Sequence, residues 1–245
     1  MRHEVFTFWT GANPLSANRS DALTTLQTSV GVPVRLVEDK ILREMYLPQI
    51  GIELHPAYYC LNLAHRADYL RAMFMNFYGG GYADIKSNTK SWKDCFEVLN
   101  STDRAYAMGY TEVSRKGVAK IFKSSLKLDN TLFEVAQDYV RYIILKKNYK
   151  KLVGCCAFIF KPNTPLTNLW WVELNQRLDS LHDDLKRYPS KLDPKEKPGK
   201  FYSGIESRYP VPWTYLLGDI LHPLMLEFES NILHELPTPQ FDNYE

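Results

Sequence analysis

The sequence predicts an α/β protein in which a mixed, Rossmann-like sheet is flanked by helices, and the first part of the chain already supports this class. Residues 5–9, VFTFW, are a short apolar run typical of a buried strand. Residues 16–31, SANRSDALTTLQTSVG, have the pattern of a helix, with Ser16 as its N-cap and Gly31 as its stop. Residues 32–39, VPVRLVED, predict a second strand rich in β-branched side chains. A strand, a helix and a strand in this order favour an α/β architecture with a right-handed crossover.

The rest of the chain continues this alternation. The longest predicted helix runs from Pro56 to Tyr78, with a proline near its start and Gly79 to Gly81 as its end. The longest apolar run, LVGCCAFIFKP at 152–162, predicts a central strand. The other predicted elements are, in order, a short helix at 39–47, strands at 81–85 and 104–113, a helix at 132–147, an exposed amphipathic helix at 164–188 capped by Thr164, and a short helix within 209–228.

One segment has the composition of a loop. Residues 189–200, PSKLDPKEKPGK, hold three prolines, four lysines and few apolar side chains. Such a segment is a poor candidate for the core. Two interpretations stay open at this point: a solvated loop, or a mobile lid near an anionic ligand.

Composition limits the classes to which this protein can belong. Its 245 residues are 45% apolar, enough for one sizeable core, and no linker divides 1–245 into independent domains. A net charge of +2 gives no support for nucleic-acid binding. We see no secretory leader and no apolar stretch long enough for a membrane span. The cysteines fit no zinc pattern and no dense disulfide framework, so we expect a soluble, cytoplasmic protein in a reducing setting. They are Cys60, Cys95, Cys155 and Cys156.

Three charged residues in the first half carry the candidate chemistry. Asp68 and Arg71 lie three residues apart on the long predicted helix and therefore share one face. They form either a simple intrahelical ion pair or a pair that points at a polar ligand beyond the helix. Asp84 ends the strand that follows the glycines, and strand ends are where open α/β sheets bind ligands. A carboxylate there suits Mg²⁺ or Mn²⁺, which would in turn hold a diphosphate.

The stretch ADYLRAMFMNFYGGGYADIK, residues 67–86, resembles the signature of DXD-type nucleotide-sugar glycosyltransferases. That signature has a small residue followed by Asp-x-x-Arg, then about ten residues, then Gly-Gly-x-Tyr-x-Asp-x-Asp. It is similar to the sugar-binding regions of mannosyltransferases, capsular polysaccharide synthesis transferases and toxin glucosyltransferases. The opening strand FTFWTG, at 6–11, resembles the first strand of the family. Together the two stretches relate about the first 110 residues to the family.

The resemblance implies a GT-A fold and a division of labour along the chain. Residues 1–110 would be the nucleotide-sugar binding half, and 111–245 the acceptor-side half. Trp9 would border the base, while Asp68 and Arg71 would hold the sugar hydroxyls and the diphosphate. Transfer would retain the anomeric configuration. The donor-binding residues that the resemblance implies are Phe8, Trp9, Thr10, Gly11, Asp68, Arg71, Gly80 and Tyr82. The catalytic residues that it implies are Asp68, Arg71, Asp84 and Lys86.

Lys86 departs from the family pattern, because a second acid is expected at this position. An ammonium group cannot ligate a cation. Asp84 could still bind Mn²⁺ or Mg²⁺ with help from Asp219 or His222. Lys86 could instead replace part of the metal's charge on the diphosphate, or the enzyme could have lost its activity. The polar run after Asp84 argues against decay, since Ser87 and Asn88 could donate to phosphate.

In the C-terminal part of the chain, only the stretch YPVPWTYLLGDILHP, 209–223, contains side chains that suit binding of a metal or a diphosphate. The family commonly brings a C-terminal His, Asn or Trp back to the metal and diphosphate. Trp213, Asp219 and His222 are therefore further candidates, although a lone histidine beside a proline is often structural. His65 and Arg66 directly precede the signature and face either solvent or the acceptor.

The sequence thus predicts a glycosyltransferase that moves a sugar from a UDP- or GDP-linked donor to a glycan or glycoprotein hydroxyl. The alternative is a catalytically inactive module that binds a sugar nucleotide or a glycan on the same fold. A dinucleotide-binding enzyme is disfavoured, because the first strand leads into WTGANP and not into a Gly-x-Gly-x-x-Gly turn.

Overall fold

A computed structural model describes residues 1–241 of the chain and contains a six-stranded sheet in the order β2-β1-β3-β5-β4-β8. The strands of this sheet are β1 Val5–Trp9, β2 Val34–Glu38, β3 Gly80–Ala83, β4 Ala107–Thr111, β5 Val153–Phe160 and β8 Ile232–Leu233. Two further short strands, β6 Phe201–Tyr202 and β7 Ile205–Glu206, form a separate hairpin.

Helices flank the sheet. They are α1 Ala17–Ser29, α2 Asp39–Ile41, α3 Leu47–Ile50, α4 Leu63–Phe77, α5 Lys93–Ser101, α6 Ile121–Lys127, α7 Leu132–Lys147, α8 Pro165–Ser180, α9 His182–Arg187 and α10 Gly218–Glu227. A π-helical turn, Leu42–Tyr46, joins α2 to α3, so the short predicted helix at 39–47 is one continuous helical stretch with an irregular middle. Within residues 1–241, no helix is both long enough and apolar enough to cross a membrane.

The sheet is mixed and mostly parallel. Strand β1 pairs in parallel with β2 on one side and with β3 on the other. Strand β5 lies between β3 and β4 and is antiparallel to both, while β8 is parallel to β4. These pairings confirm a mixed α/β fold with helices around the sheet. They also interleave the two halves of the chain, because β5 comes from the second half and lies between two strands of the first.

Strand β5 is central, as predicted, and separates two apolar layers. Phe158 and Phe160 pack into the larger core with helix α4 and helix α8, whereas Ala157 and Ile159 pack into a smaller core on the other face. This alternation follows from the two-residue period of a strand. Helix α8 contributes Trp170 to the larger core, so the helix predicted at 164–188 is only partly exposed, and α9 continues it as a separate short helix.

Local signals explain several helix ends. The Ser16 side chain accepts a hydrogen bond from the Arg19 amide at 3.4 Å, so the predicted N-cap of α1 is confirmed. Gly31 follows the end of α1 with φ +78°, in the left-handed region that glycine tolerates. The predicted start of the long helix at Pro56 is wrong. Asn62 caps α4 instead, with its side chain 2.7 Å from the His65 amide, and the preceding residues 58–60 form a separate 3₁₀ turn.

The segment 189–200 has no helix or strand and half of its residues are exposed, which agrees with the interpretation as a loop, but one buried residue anchors it. Glu196 is only 2% exposed. Its Oε2 accepts hydrogen bonds from the amides of Lys191 and Leu192, and its Oε1 accepts one from the Ser207 hydroxyl. The Asn62 amide donates to the Glu196 carbonyl at 2.8 Å, so the segment is tied to the start of α4. Few apolar side chains are needed here, because one buried carboxylate organises the backbone.

Candidate functional site

Four charged side chains form one connected group, which we call the acid–cation cluster: Asp68, Arg71, Asp84 and Lys86. The Arg71 guanidinium lies 3.1 Å from Asp68 Oδ1 through Nη1 and 2.9 Å from Asp84 Oδ1 through Nη2. Lys86 Nζ lies 3.2 Å from Asp84 Oδ2. All four side chains are largely buried, with at most 13% of their surface exposed.

Three elements position this cluster. Helix α4 supplies Asp68 and Arg71 one turn apart on one face, as the sequence predicted. Asp84 lies directly after β3, and its amide donates to the Cys156 carbonyl of β5 at 2.8 Å. A tight turn follows, in which the Lys86 amide donates to the Asp84 carbonyl at 2.7 Å. The turn brings the lysine side chain back onto the carboxylate.

Tyr82 supports the cluster from below. Its hydroxyl donates to Asp84 Oδ1 at 2.6 Å, and the Arg71 guanidinium lies 4.4 Å from the centre of its ring. Phe8 stacks on the other side of Tyr82 with a centroid distance of 5.4 Å. Because Phe8 is 7% exposed and Tyr82 is 3% exposed, both act as packing beneath the charged groups. Direct contact of Phe8 or Tyr82 with a nucleotide stays a prediction.

Opposing effects set the pKa values of the two acids. Burial alone would raise the pKa of Asp84, but Arg71, Lys86 and the Tyr82 hydroxyl together lower it below its ordinary value. Burial dominates at Asp68, where one guanidinium compensates only in part, and raises the pKa to about 6. Asp84 is therefore a fixed negative charge, whereas Asp68 gains or loses a proton close to neutral pH.

The end of β1 lies at the same edge of the sheet. Strands β1 and β3 are parallel with Phe6 opposite Tyr82, so the residues that follow Phe8 lie beside Asp84. The Thr10 hydroxyl donates to the Leu63 carbonyl at 2.8 Å, which fixes this loop on the first turn of α4. The structure thus brings Trp9, Thr10 and Gly11 to the edge that carries the cluster.

Gly80 lies at the opposite end of β3, which corrects its assignment to the donor site. Its φ is +97°, and a Cβ there would lie 2.9 Å from the Glu4 carbonyl oxygen. Gly79 has φ +61°, with a Cβ position 2.8 Å from the Phe160 carbonyl oxygen. These glycines allow backbone to approach backbone, not a ligand.

The predicted metal ligands do not lie together. Asp84 is held by Arg71 and Lys86, whereas Asp219 Oδ2 accepts from the Ser124 hydroxyl at 2.5 Å. His222 Nδ1 accepts from the Ala119 amide at 3.1 Å, and burial lowers the pKa of this imidazole to about 4. Among residues 1–241, no three His, Cys, Asp or Glu side chains form a group that could hold a metal ion. Asp84, Asp219 and His222 therefore do not form one shared site as arranged, and a metal at Asp84 stays a prediction.

Other predicted contacts are structural. The Asn88 amide donates to Ser29 Oγ at 2.9 Å and to the Lys90 carbonyl at 2.6 Å, so it ties the loop to α1 and is not directed at phosphate. His65 is buried, with Nδ1 2.8 Å from the Tyr209 hydroxyl, so it faces neither solvent nor an acceptor. The Trp213 carbonyl lies 3.3 Å from His65 Nε2, and the Trp213 ring is 42% exposed.

Two neighbours of Lys86 were missed by the sequence analysis. Cys156 Sγ lies 2.9 Å from Lys86 Nζ, and the Phe241 ring centre lies 4.7 Å from the same nitrogen. Burial raises the pKa of Cys156 to about 11, so this group is a neutral thiol. Successive residues of a strand face opposite sides, so one of Cys155 and Cys156 had to face the Asp84 side of β5. No sequence signal places Phe241 there.

In comparisons with known proteins, no family model matches this chain and no curated protein matches it. The resemblance of residues 67–86 to the glycosyltransferase signature therefore stays an expectation from the sequence.

Proposed function

We propose that this protein is a glycosyltransferase that moves a sugar from a UDP- or GDP-linked donor to a hydroxyl of a glycan or glycoprotein, within a GT-A fold. One observation carries the proposal. The Asp-x-x-Arg pair of α4 and the acid after β3 meet in a single ion-paired cluster, at the sheet edge where the end of β1 also lies. Ligands of open α/β sheets bind at such an edge.

In this proposal the nucleotide lies along Trp9, Thr10 and Gly11, and the diphosphate approaches Arg71 and Lys86. During transfer, the bond between the anomeric carbon and the diphosphate oxygen breaks, and its electron pair stays on that oxygen. Two fixed cations next to this oxygen stabilise the developing charge without reorganising. The acceptor oxygen forms the new bond to the anomeric carbon, and its proton passes to the departing diphosphate oxygen.

In this proposal, Lys86 stabilises the charge on the departing diphosphate, a role that a metal ion has in the family that the signature resembles. Its ammonium group already lies 3.2 Å from Asp84, where a divalent cation would otherwise bind. Asp84 then serves to orient Arg71 and Lys86, and its lowered pKa keeps it charged for this purpose. In the same proposal, Asp68 accepts a hydrogen bond from a hydroxyl of the donor sugar.

A panel of sugar nucleotides tests the proposal. The full-length protein is incubated with UDP- and GDP-sugars, once with Mn²⁺ and once with EDTA, and the released nucleoside diphosphate is measured. We expect release from one nucleotide class in both conditions. Release that depends strictly on Mn²⁺ would contradict the role of Lys86 while preserving the glycosyltransferase. No release and no binding of any donor would overturn the proposal itself.

Lys86→Asp restores the second acid of the family signature and separates lysine from metal chemistry. Two adjacent carboxylates repel each other unless a cation joins them, so we expect Mn²⁺ to raise the thermal midpoint of this variant. The wild-type protein should show no such shift. Lys86→Met, which adds no ligand, is the matched control and should not respond to Mn²⁺.

A second candidate is a binding module without turnover. It is favoured by the mutual ion pairs, in which each acid of the cluster already has a cation. Such a protein would bind a nucleoside diphosphate in calorimetry with no release of product. Loss of this binding in Arg71→Gln, with no turnover in the wild type, would select this candidate.

A further inference from the structure

Helix α7 exposes a broad apolar face. The fractional exposures of its large apolar side chains are 86% for Leu132, 71% for Phe133, 57% for Val140, 43% for Ile143 and 48% for Ile144. At about 100° per residue, these five positions fall within an arc of about 120°. The face cannot be explained by packing within residues 1–241.

The opposite side of the same helix does pack. Tyr142 and Leu145 are 8% and 3% exposed and belong to the main core. The helix is therefore held in place by one apolar side and presents a second apolar side to the surroundings. Single exposed apolar residues need no explanation, but a contiguous face of five marks an interaction surface.

The segment that contains this face is rich in positive charge. Residues 113–151 contain ten Lys and Arg against three Asp and Glu, a net charge of +7, so the rest of the chain carries −5. Lys146 and Lys147 are the last two residues of helix α7, and Lys150 lies three residues beyond its end. A basic end next to an apolar face is the pattern of helices that lie in a membrane interface.

We propose that α7 binds an anionic membrane surface, with Leu132, Phe133, Val140, Ile143 and Ile144 in the acyl boundary and the lysines at the headgroups. This inference is independent of the glycosyltransferase activity. Charge decides the occupant: a second copy would bring one +7 region against another, whereas an anionic bilayer complements both the charge and the apolar face. The face defined by these five residues is called the α7 docking face below.

Vesicle flotation tests the proposal. The full-length protein is mixed with vesicles of equimolar phosphatidylglycerol and phosphatidylcholine, or of phosphatidylcholine alone, at low and at high salt. We expect flotation with the anionic vesicles at low salt and its loss at high salt. Absence of binding to anionic vesicles, or equal binding to both kinds, would overturn the proposal.

Two sets of substitutions localise the binding. Leu132→Ser with Phe133→Ser and Val140→Ser should abolish flotation, and the control triple Val98→Ser, Leu169→Ser and Val172→Ser should retain it. Lys146→Gln with Lys147→Gln should weaken anionic-vesicle binding by about 25-fold, since each lysine contributes about fivefold. The exposed pair Lys40→Gln and Lys195→Gln is its control.

Light scattering tests whether the α7 docking face instead binds a second copy of the chain. A wild-type dimer that the α7 triple converts to a monomer, with flotation unchanged, would assign the face to a second copy and overturn the proposal. Circular dichroism confirms that each variant is folded. Retained flotation in a folded α7 triple would also overturn it.

Discussion

The acid–cation cluster and the α7 docking face differ in which side chains they expose to water. The cluster buries four charged groups beneath the edge of the sheet, whereas α7 exposes five large apolar groups. Either arrangement opposes the ordinary preference of its residues. The cluster compensates internally, because every acid faces a cation. The docking face has no compensation within residues 1–241.

This difference predicts two kinds of response to mutation. Removing one member of the cluster leaves a buried charge without its partner, so stability should suffer along with activity. Truncating the docking face removes side chains that already face solvent, so stability should hardly change. The predictions below test this contrast, from the largest expected effect to the smallest.

Asp84→Ala should lower the free energy of unfolding by about 3–5 kcal/mol, because it deprives Lys86 and Arg71 of the carboxylate between them. Urea denaturation measures this loss. Asp183→Ala, at an exposed acid of α9, is the control and should change stability by less than about 0.5 kcal/mol. An equal, small effect at both sites would remove the contrast.

Asp68→Asn should change how stability depends on pH. The folded-state pKa of Asp68 is about 6, above its unfolded value of 3.8, so the folded protein binds more protons between these values. The stability from this group is fully present below pH 3.8 and is lost as pH rises through 6. The wild type should therefore lose up to about 3 kcal/mol relative to Asp68→Asn between pH 4 and pH 7. Parallel curves for the two proteins would show that Asp68 is not buried as described.

The rate of transfer gives a second measure of Asp68. Protonation removes a hydrogen-bond acceptor, so the wild-type rate should fall as pH decreases through about 6. Asp68→Asn should be slow at every pH and should lack this step.

Gly80→Ala should destabilise the fold by about 1–3 kcal/mol, because alanine disfavours φ +97° and its Cβ would crowd the Glu4 carbonyl. Gly51 has φ +65° with open space around its Cβ position, so Gly51→Ala isolates the cost of the backbone angle. We expect the smaller loss there. The folded fraction of Gly80→Ala should keep its donor affinity, and a specific loss of affinity would return Gly80 to the donor site.

Phe133→Ala should alter the free energy of unfolding by less than about 0.5 kcal/mol, since its ring is 71% exposed. Leu145→Ala, on the buried side of the same helix, should lose about 2–5 kcal/mol. Thermal denaturation of the pair measures both values. A large loss from Phe133→Ala would mean that the α7 docking face already packs against the protein.

Local signals in the sequence predicted the elements that depend on neighbours in the chain. The apolar runs predicted strands β1 and β5, and Ser16 predicted the start of α1. The three-residue spacing of Asp68 and Arg71 predicted that they share one face of a helix. Contacts between segments that are distant in the chain could not be predicted, because no local pattern in the sequence encodes them. Glu196 is buried by amides that only a folded loop presents, and Lys86 meets Asp84 and Cys156 through a turn and a neighbouring strand. The partner of Asp219 could not be predicted for the same reason, since Ser124 lies far from it along the chain.

The place of β5 in the sheet has a consequence for synthesis of the chain. During synthesis, β3 and β4 leave the ribosome before residues 153–160 are made. Until β5 forms between them, each of these two strands has an unpaired edge. Open strand edges pair readily with other nascent chains. A chain that ends after residue 150 should therefore aggregate and not fold as an independent half. The amide of Asp84 would then lack its hydrogen bond to the Cys156 carbonyl.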